Sequence, residues 1–145
     1  MKEIKFRGKR LDTGEWSYGF VLETKMSGLF IIGSSMERKN TRNGTVLYDK
    51  LWQFEINPST VGQYTGLKDK NGKEIFEGDV IHKYGKYEVV FDGYRFIGKG
   101  YYNTCYDIPD DIFSEELDRV EVIGNIHDNP ELLKVCPDFT PETEE

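Results

Sequence analysis

Three dipeptides constrain this chain more than anything else in its sequence: Asn43-Gly44, Asn71-Gly72 and Asp92-Gly93. Each tolerates positive φ at both central positions of a two-residue type I′ turn, whose twist suits antiparallel strands. Two looser turns, Asp12-Thr13-Gly14 and Lys25-Met26-Ser27-Gly28, separate IKFRGKRL from EWSYGFVLE and FVLET from LFIIG. Asn43-Gly44 separates ERKNTR from TVLYDKLWQFEI, and Asp92-Gly93 separates KYEVVF from YRFIG. Turns at this density predict a mainly β protein of antiparallel hairpins with minor short helices.

Alternation agrees. Ile4 and Phe6 share one strand face, as do Trp16, Tyr18 and Phe20, and as do Tyr87, Val89 and Phe91 opposite Glu88 and Asp92. VEVIGNI, from Val120 to Ile126, reads as a strand with one mixed face. An aromatic content of 14% supports sheet, because rings suit its pleated, half-buried surface. Helix is expected only late. Ile108 to Leu117 carries its acids early and apolar residues at 112, 113 and 117, while Asn129-Pro130 has the form of an N-cap with proline at the first helical position.

Asn57-Pro58-Ser59-Thr60 is the best internal boundary. The expected organisation is an N-terminal β-meander over 1–58, a compact β unit over 59–128, and a short helix with an acidic tail over 129–145. The longest apolar run, Gly28 to Gly33, is far short of the roughly 20 residues of a membrane span, and MKEIKFRGKR has no apolar core of a secretory signal. Cys105 and Cys136 stand apart and read as reduced thiols rather than a staple. The expectation is a soluble, intracellular protein. Its charge is uneven: the first hundred residues carry a net +4 and the last forty-five a net -11. Such a tail keeps a protein soluble, or docks on a basic face of this or another subunit.

The residues do not assemble into a recognisable catalytic or metal site. His82 and His127 lack ligands at metal spacing and read as strand-end histidines. Cys105 has no nucleophile signature around it, and Asp110, Asp111, Glu115 and Glu116 read as a solvated helix face. Gly66, Gly72 and Gly78 recur without the Gly-Lys-Ser/Thr that closes a phosphate loop on a helix. The expectation is no catalytic residue, no metal and no cofactor. A possible nucleic-acid or partner surface is Lys68, Lys70, Lys73 and Lys83 with Tyr84, Tyr94 and Arg95, because cations among aromatics neutralise phosphates and stack bases. Six acids against seven bases over 61–100 weaken that reading.

The stretch QYTGLKDKNGKEIFEGDVI, Gln63 to Ile81, reads as a bend, a charged solvated hairpin tip from Lys68 to Lys73, a core anchor at Ile75-Phe76, and a turn at Gly78. Gly78 suits a backbone conformation that side chains resist, and Asp79 can cap a neighbouring amide. The Gly-Asp-apolar-apolar start of a strand resembles small SH3-like barrels. Together with IKFRG near the start and VIGNIHDNPELL from Val122 to Leu133, the stretch resembles the YopX-like proteins of bacteriophages and prophages. Residues 9–62 carry little of the resemblance, and FRGKR stands where many relatives read FRAWD. The resemblance implies a phage-derived intracellular protein with an SH3-like β unit, homo-oligomeric and without catalytic residues to transfer. The expected function is a non-enzymatic accessory protein that self-associates through protein contacts; the alternative is a nucleic-acid-binding small barrel.

Overall fold

Two compact units, Met1–Gln63 and Tyr64–Glu145, divide the chain. In this computed structural model the described residues are 3–83, 85–100 and 117–133. Strand order is antiparallel throughout, as the turn spacing predicts.

The first unit is a meander. β1 (Phe6–Lys9) pairs with β2 (Trp16–Thr24), β2 with β3 (Gly28–Thr41), and β3 with β4 (Gly44–Glu55). A short 3₁₀ turn at Pro58–Thr60 follows, capped by Asn57, and the start of β5 (Gly62–Lys68) sets Gly62 and Gln63 against Arg7 and Phe6. The β1–β2 turn is pinned by Arg10, whose guanidinium holds Asp12 through two bonds of 2.8 and 2.6 Å and lies 3.6 Å above the Phe54 ring. Arg10 pushes Asp12 below the ordinary carboxylate range by that hydrogen bond.

Cross-strand partners share a face, so the register sorts the side chains. One face carries Gly8, Ser17, Val21, Ile31, Gly33, Trp52, Phe54 and Ile56, and here Ile31, Ile56 and Ser17 are buried. A Cβ on Gly8 would meet Ile56 at 2.7 Å, and one on Gly33 would meet the Trp52 ring at 2.1 Å. Both glycines let large neighbours lie on bare backbone. Trp52 in turn stacks on Phe54, with ring centroids 5.3 Å apart.

β3 runs without interruption through Gly33-Ser34-Ser35, so LFIIG and ERKNTR are one strand of 14 residues. Its last pair with β2 is Ile32 with Phe20. Beyond Gly33 only β4 accompanies it among the described residues, and the two strands extend as an arm to the loop at Arg42-Asn43. The tight loop thus lies one residue earlier than the Asn43-Gly44 expected. Gly44 opens β4 with φ +119° instead of sitting in the turn's centre.

The second unit holds two small pairings. Tyr64–Lys68 of β5 pairs with β6 (Glu74–Phe76), bringing Tyr64 and Phe76 rings to 5.3 Å. A four-stranded sheet runs in the order β10-β7-β8-β9, from β7 (Asp79–His82), β8 (Lys86–Phe91), β9 (Phe96–Gly100) and β10 (Glu121–Asn125). Its core is Ile75, Ile81, Val89 and Val120, with Leu67, Tyr87, Phe96 and Val122 against it. Gly78 has φ +90° and donates to Val89 O at 2.8 Å, while buried Asp79 accepts Phe76 N through Oδ2 at 2.8 Å. Asp79 therefore caps as its position suggests. Asn129-Pro130 starts a 3₁₀ turn, Pro130–Leu133, rather than an α-helix. The expected helix over 108–117 lies almost wholly outside the described residues, as do Cys105, Cys136 and most of the acidic C-terminal segment.

Candidate interaction surfaces

The cations expected to form one surface occupy two places in the second unit. Lys68, Lys70 and Lys73 are exposed around the Asn71-Gly72 turn. The turn between them is less free than a solvated tip. Asp69 is only 7% exposed, and its carboxylate accepts three backbone amides: Asn71 and Lys73 on Oδ1, both at 2.9 Å, and Val122 on Oδ2 at 2.9 Å. Burial alone would raise its pKa. The amides of Val122, Lys73 and Asn71 outweigh that, with help from the Lys73 charge, and hold the carboxyl below its ordinary range. Lys70 N donates to Val120 O at 2.9 Å and its ammonium pairs with Glu121 at 3.3 Å. The turn is a clamp on the start of β10.

Glu121 stands opposite His82, so this clamp and Lys83 share the end of the sheet where β7 finishes. Tyr94 and Arg95 sit in the β8–β9 turn, at the other end of β8. Six residues of strand separate the two groups, about 20 Å at roughly 3.3 Å per residue. Tyr94 is 77% exposed, with the Arg95 guanidinium 5.5 Å from its ring centre and Arg95 4.0 Å from Asp92. Tyr84 lies outside the described residues. The structure thus brings together Lys68, Lys70, Lys73 and Lys83, and leaves Tyr94 and Arg95 apart from them.

A larger surface lies in the first unit, on the sheet face opposite Ile31. The register places Tyr18, Phe20 and Leu22 of β2, Phe30, Ile32 and Met36 of β3, and Leu47 and Leu51 of β4 on it. Phe20 is 65% exposed, Met36 70% and Leu51 76%; Tyr18, Leu22 and Leu47 are also open. Closer to β1 the same face is filled: Arg7 is buried with its guanidinium 4.5 Å from the Trp16 ring centre. The other face of the arm mixes ion pairs with exposed Val46 and Tyr48. Tyr48 Oη donates to Glu37 at 3.1 Å, Lys50 pairs with Glu37 at 3.5 Å, and Lys39, Thr41, Val46 and Tyr48 line a shallow trough of about 390 Å³. Arg38 and Asp49 share the open face of the arm with Met36, Leu47 and Leu51, and no described strand covers it. Alternation already sets Trp16, Tyr18 and Phe20 on one face, but it cannot say which face the fold covers.

Among the described residues no helix is long and apolar enough to cross a membrane, and no three His, Cys, Asp or Glu side chains converge as metal ligands would. A family model described as "YopX protein" matches residues 5–134. The crystal structure of protein EF1440 from Enterococcus faecalis is similar: 27% identity, a TM-score of 0.55, and coverage of 92% of this chain and 100% of that one. No curated protein matches the sequence.

Proposed function

The chain belongs to the YopX family, and from that premise we propose a non-enzymatic accessory protein that self-associates through the open face of its first unit. The carrying observation is that face. Six of its large hydrophobic side chains, Tyr18, Phe20, Leu22, Met36, Leu47 and Leu51, are exposed, and clustered exposed apolar side chains of this kind mark interaction sites. The arm adds a second reason, because an isolated two-stranded ribbon is marginal in water. Phage or prophage origin, action in the bacterial cytoplasm and an SH3-like character for the second unit belong to the same proposal and rest on the family resemblance.

Light scattering at low and high salt should find an assembly; a monomer in both would sink the reading. Phe20→Glu and Leu51→Glu each place a charge in the contact. Each is expected to weaken assembly at least tenfold, about 1.4 kcal/mol, without unfolding the chain, since both side chains are exposed in the free unit.

Nucleic-acid binding is a second reading, supported by exposed Tyr94 beside Arg95. Filter binding at about 50 mM salt should then detect single-stranded DNA or RNA, with affinity falling steeply as salt rises. Retention no better than background at that salt would end it.

A further inference from the structure

We propose that the outer edge of β4 pairs antiparallel with β4 of a second copy, joining two sheets across a two-fold axis. The inference rests on the self-association proposed above and adds to the open-face contact a second one, at the strand edge.

The backbone identifies which groups face outward. Ile56 N bonds to Leu29 O at 3.0 Å, towards β3, whereas Glu55 O accepts Leu11 N at 3.0 Å, on the side away from β3. Hydrogen-bonding direction alternates along an antiparallel strand. Thr45, Leu47, Asp49, Leu51 and Gln53 therefore turn their N–H and C=O groups to the outer edge, and Val46, Tyr48, Lys50, Trp52 and Phe54 turn theirs to β3. Among the described residues that edge is met only at its C-terminal end, where Leu11 bonds Glu55 and Arg10 bridges Ile56; from Thr45 to Gln53 no strand takes it up.

Sheet edges in soluble proteins are usually blunted by proline, a bulge, an inward charge or short length. β4 is 12 residues long, carries no proline, and keeps one register with β3 from end to end. It is built as a template. A second copy suits it better than a charged partner. Between Gly44 and Phe54 the only charges are Asp49 and Lys50, and a two-fold centred on Tyr48, which sets Asp49 opposite Leu47 and Lys50 opposite Val46, keeps like charges from facing each other. An antiparallel pairing of like strands is its own mate under a two-fold, and the contact closes after two copies. The outward-bonding residues also carry exposed Leu47 and Leu51, with Asp49 between them, on the open face, so edge pairing brings the open faces of two copies side by side.

Proline substitution separates this contact from the rest of the fold. Asp49→Pro removes an outward N–H and leaves the bonds to β3, a placement that edge strands accept. It is expected to weaken assembly at least tenfold with the circular dichroism spectrum retained. Hydrogen exchange on the unmodified chain supplies a test that does not depend on the variant folding. The amides of Leu47, Asp49 and Leu51 should be slow in the assembly and fast after dilution to monomer, while those of Tyr48 and Lys50 stay slow in both. Outward amides that exchange freely in the assembly overturn the edge contact and leave self-association standing. Outward amides that stay slow in the diluted monomer also overturn it, because the chain itself then covers the edge. A wild-type chain that is monomeric at every concentration overturns both proposals.

Discussion

Asp69→Ala is expected to destabilise the second unit by about 3–4 kcal/mol, at roughly 1.5–3 kcal/mol for each bond between a charged acceptor and an amide left without water. The three amides do not count equally. Asn71 lies in an exposed turn and can turn to solvent, whereas Val122 N sits beside a core that includes buried Val120. The loss also has a topological element. Asp69 fastens the β5–β6 turn to β10 across 53 residues of sequence, so losing it frees the strand that carries Val122 against the core. Asp69→Asn should fall between wild type and alanine. Its one carbonyl oxygen keeps Asn71 and Lys73, but its amide nitrogen turns a donor towards Val122 N. Hydrogen exchange of the Val122 and Lys73 amides is the local readout, and protection within about tenfold of wild type in Asp69→Ala would contradict the clamp.

The same carboxylate sets a pH dependence. Its pKa is lowered in the folded chain, so its contribution is fully present above the unfolded value near 3.9 and is lost as pH falls through the folded value. The stability gap between wild type and Asp69→Asn should therefore be constant from neutral pH to about 5 and close below about 4. A gap unchanged at pH 3 would mean that the carboxylate's charge plays no part.

Local signals carried the fold further than they carried the surfaces. Asn71-Gly72 marks a turn whatever surrounds it, because glycine's positive φ is a local property; here it is +81°. That Asp69 beside it is buried depends on Val122, which no local window contains. The strand through Gly33-Ser34-Ser35 was hidden for a related reason. Glycine and serine lower strand propensity, and only twelve consecutive pairs with β4 overrule them. Alternation placed Trp16, Tyr18 and Phe20 together correctly. It is symmetric between the two faces, however, and Phe20 ends on the open one while Ser17 is buried on the other. The lysine cluster shows the converse limit. Lys83 and Arg95 are near in sequence, yet a full strand holds them apart.

Gly19→Ala is expected to cost the first unit about 3 kcal/mol or more, at the upper end of overpacking effects. Gly19 is the residue where β2 changes partners: its pairs with β1 end there, and its pairs with β3 begin at Phe20. A Cβ at this point would lie 2.2 Å from Ile32 O and 3.0 Å from Ile32 C, so the obstacle is backbone that cannot swing aside as a side chain would. Moving that carbonyl disturbs the pairing of Phe20 with Ile32, and with it buried Ile31 on the next position. Gly14→Ala is the matched control. Its φ is +73° with nothing within 4 Å of a Cβ, so it tests the left-handed backbone alone, at about 1–2 kcal/mol. Both tryptophans of the chain, Trp16 and Trp52, lie in this unit, so tryptophan fluorescence in urea follows its unfolding selectively. The Gly19→Ala midpoint should fall clearly below that of Gly14→Ala. Equal midpoints would mean that β3 can yield at Ile32, and the branch point of sheet and arm would then be a hinge rather than a fixed junction.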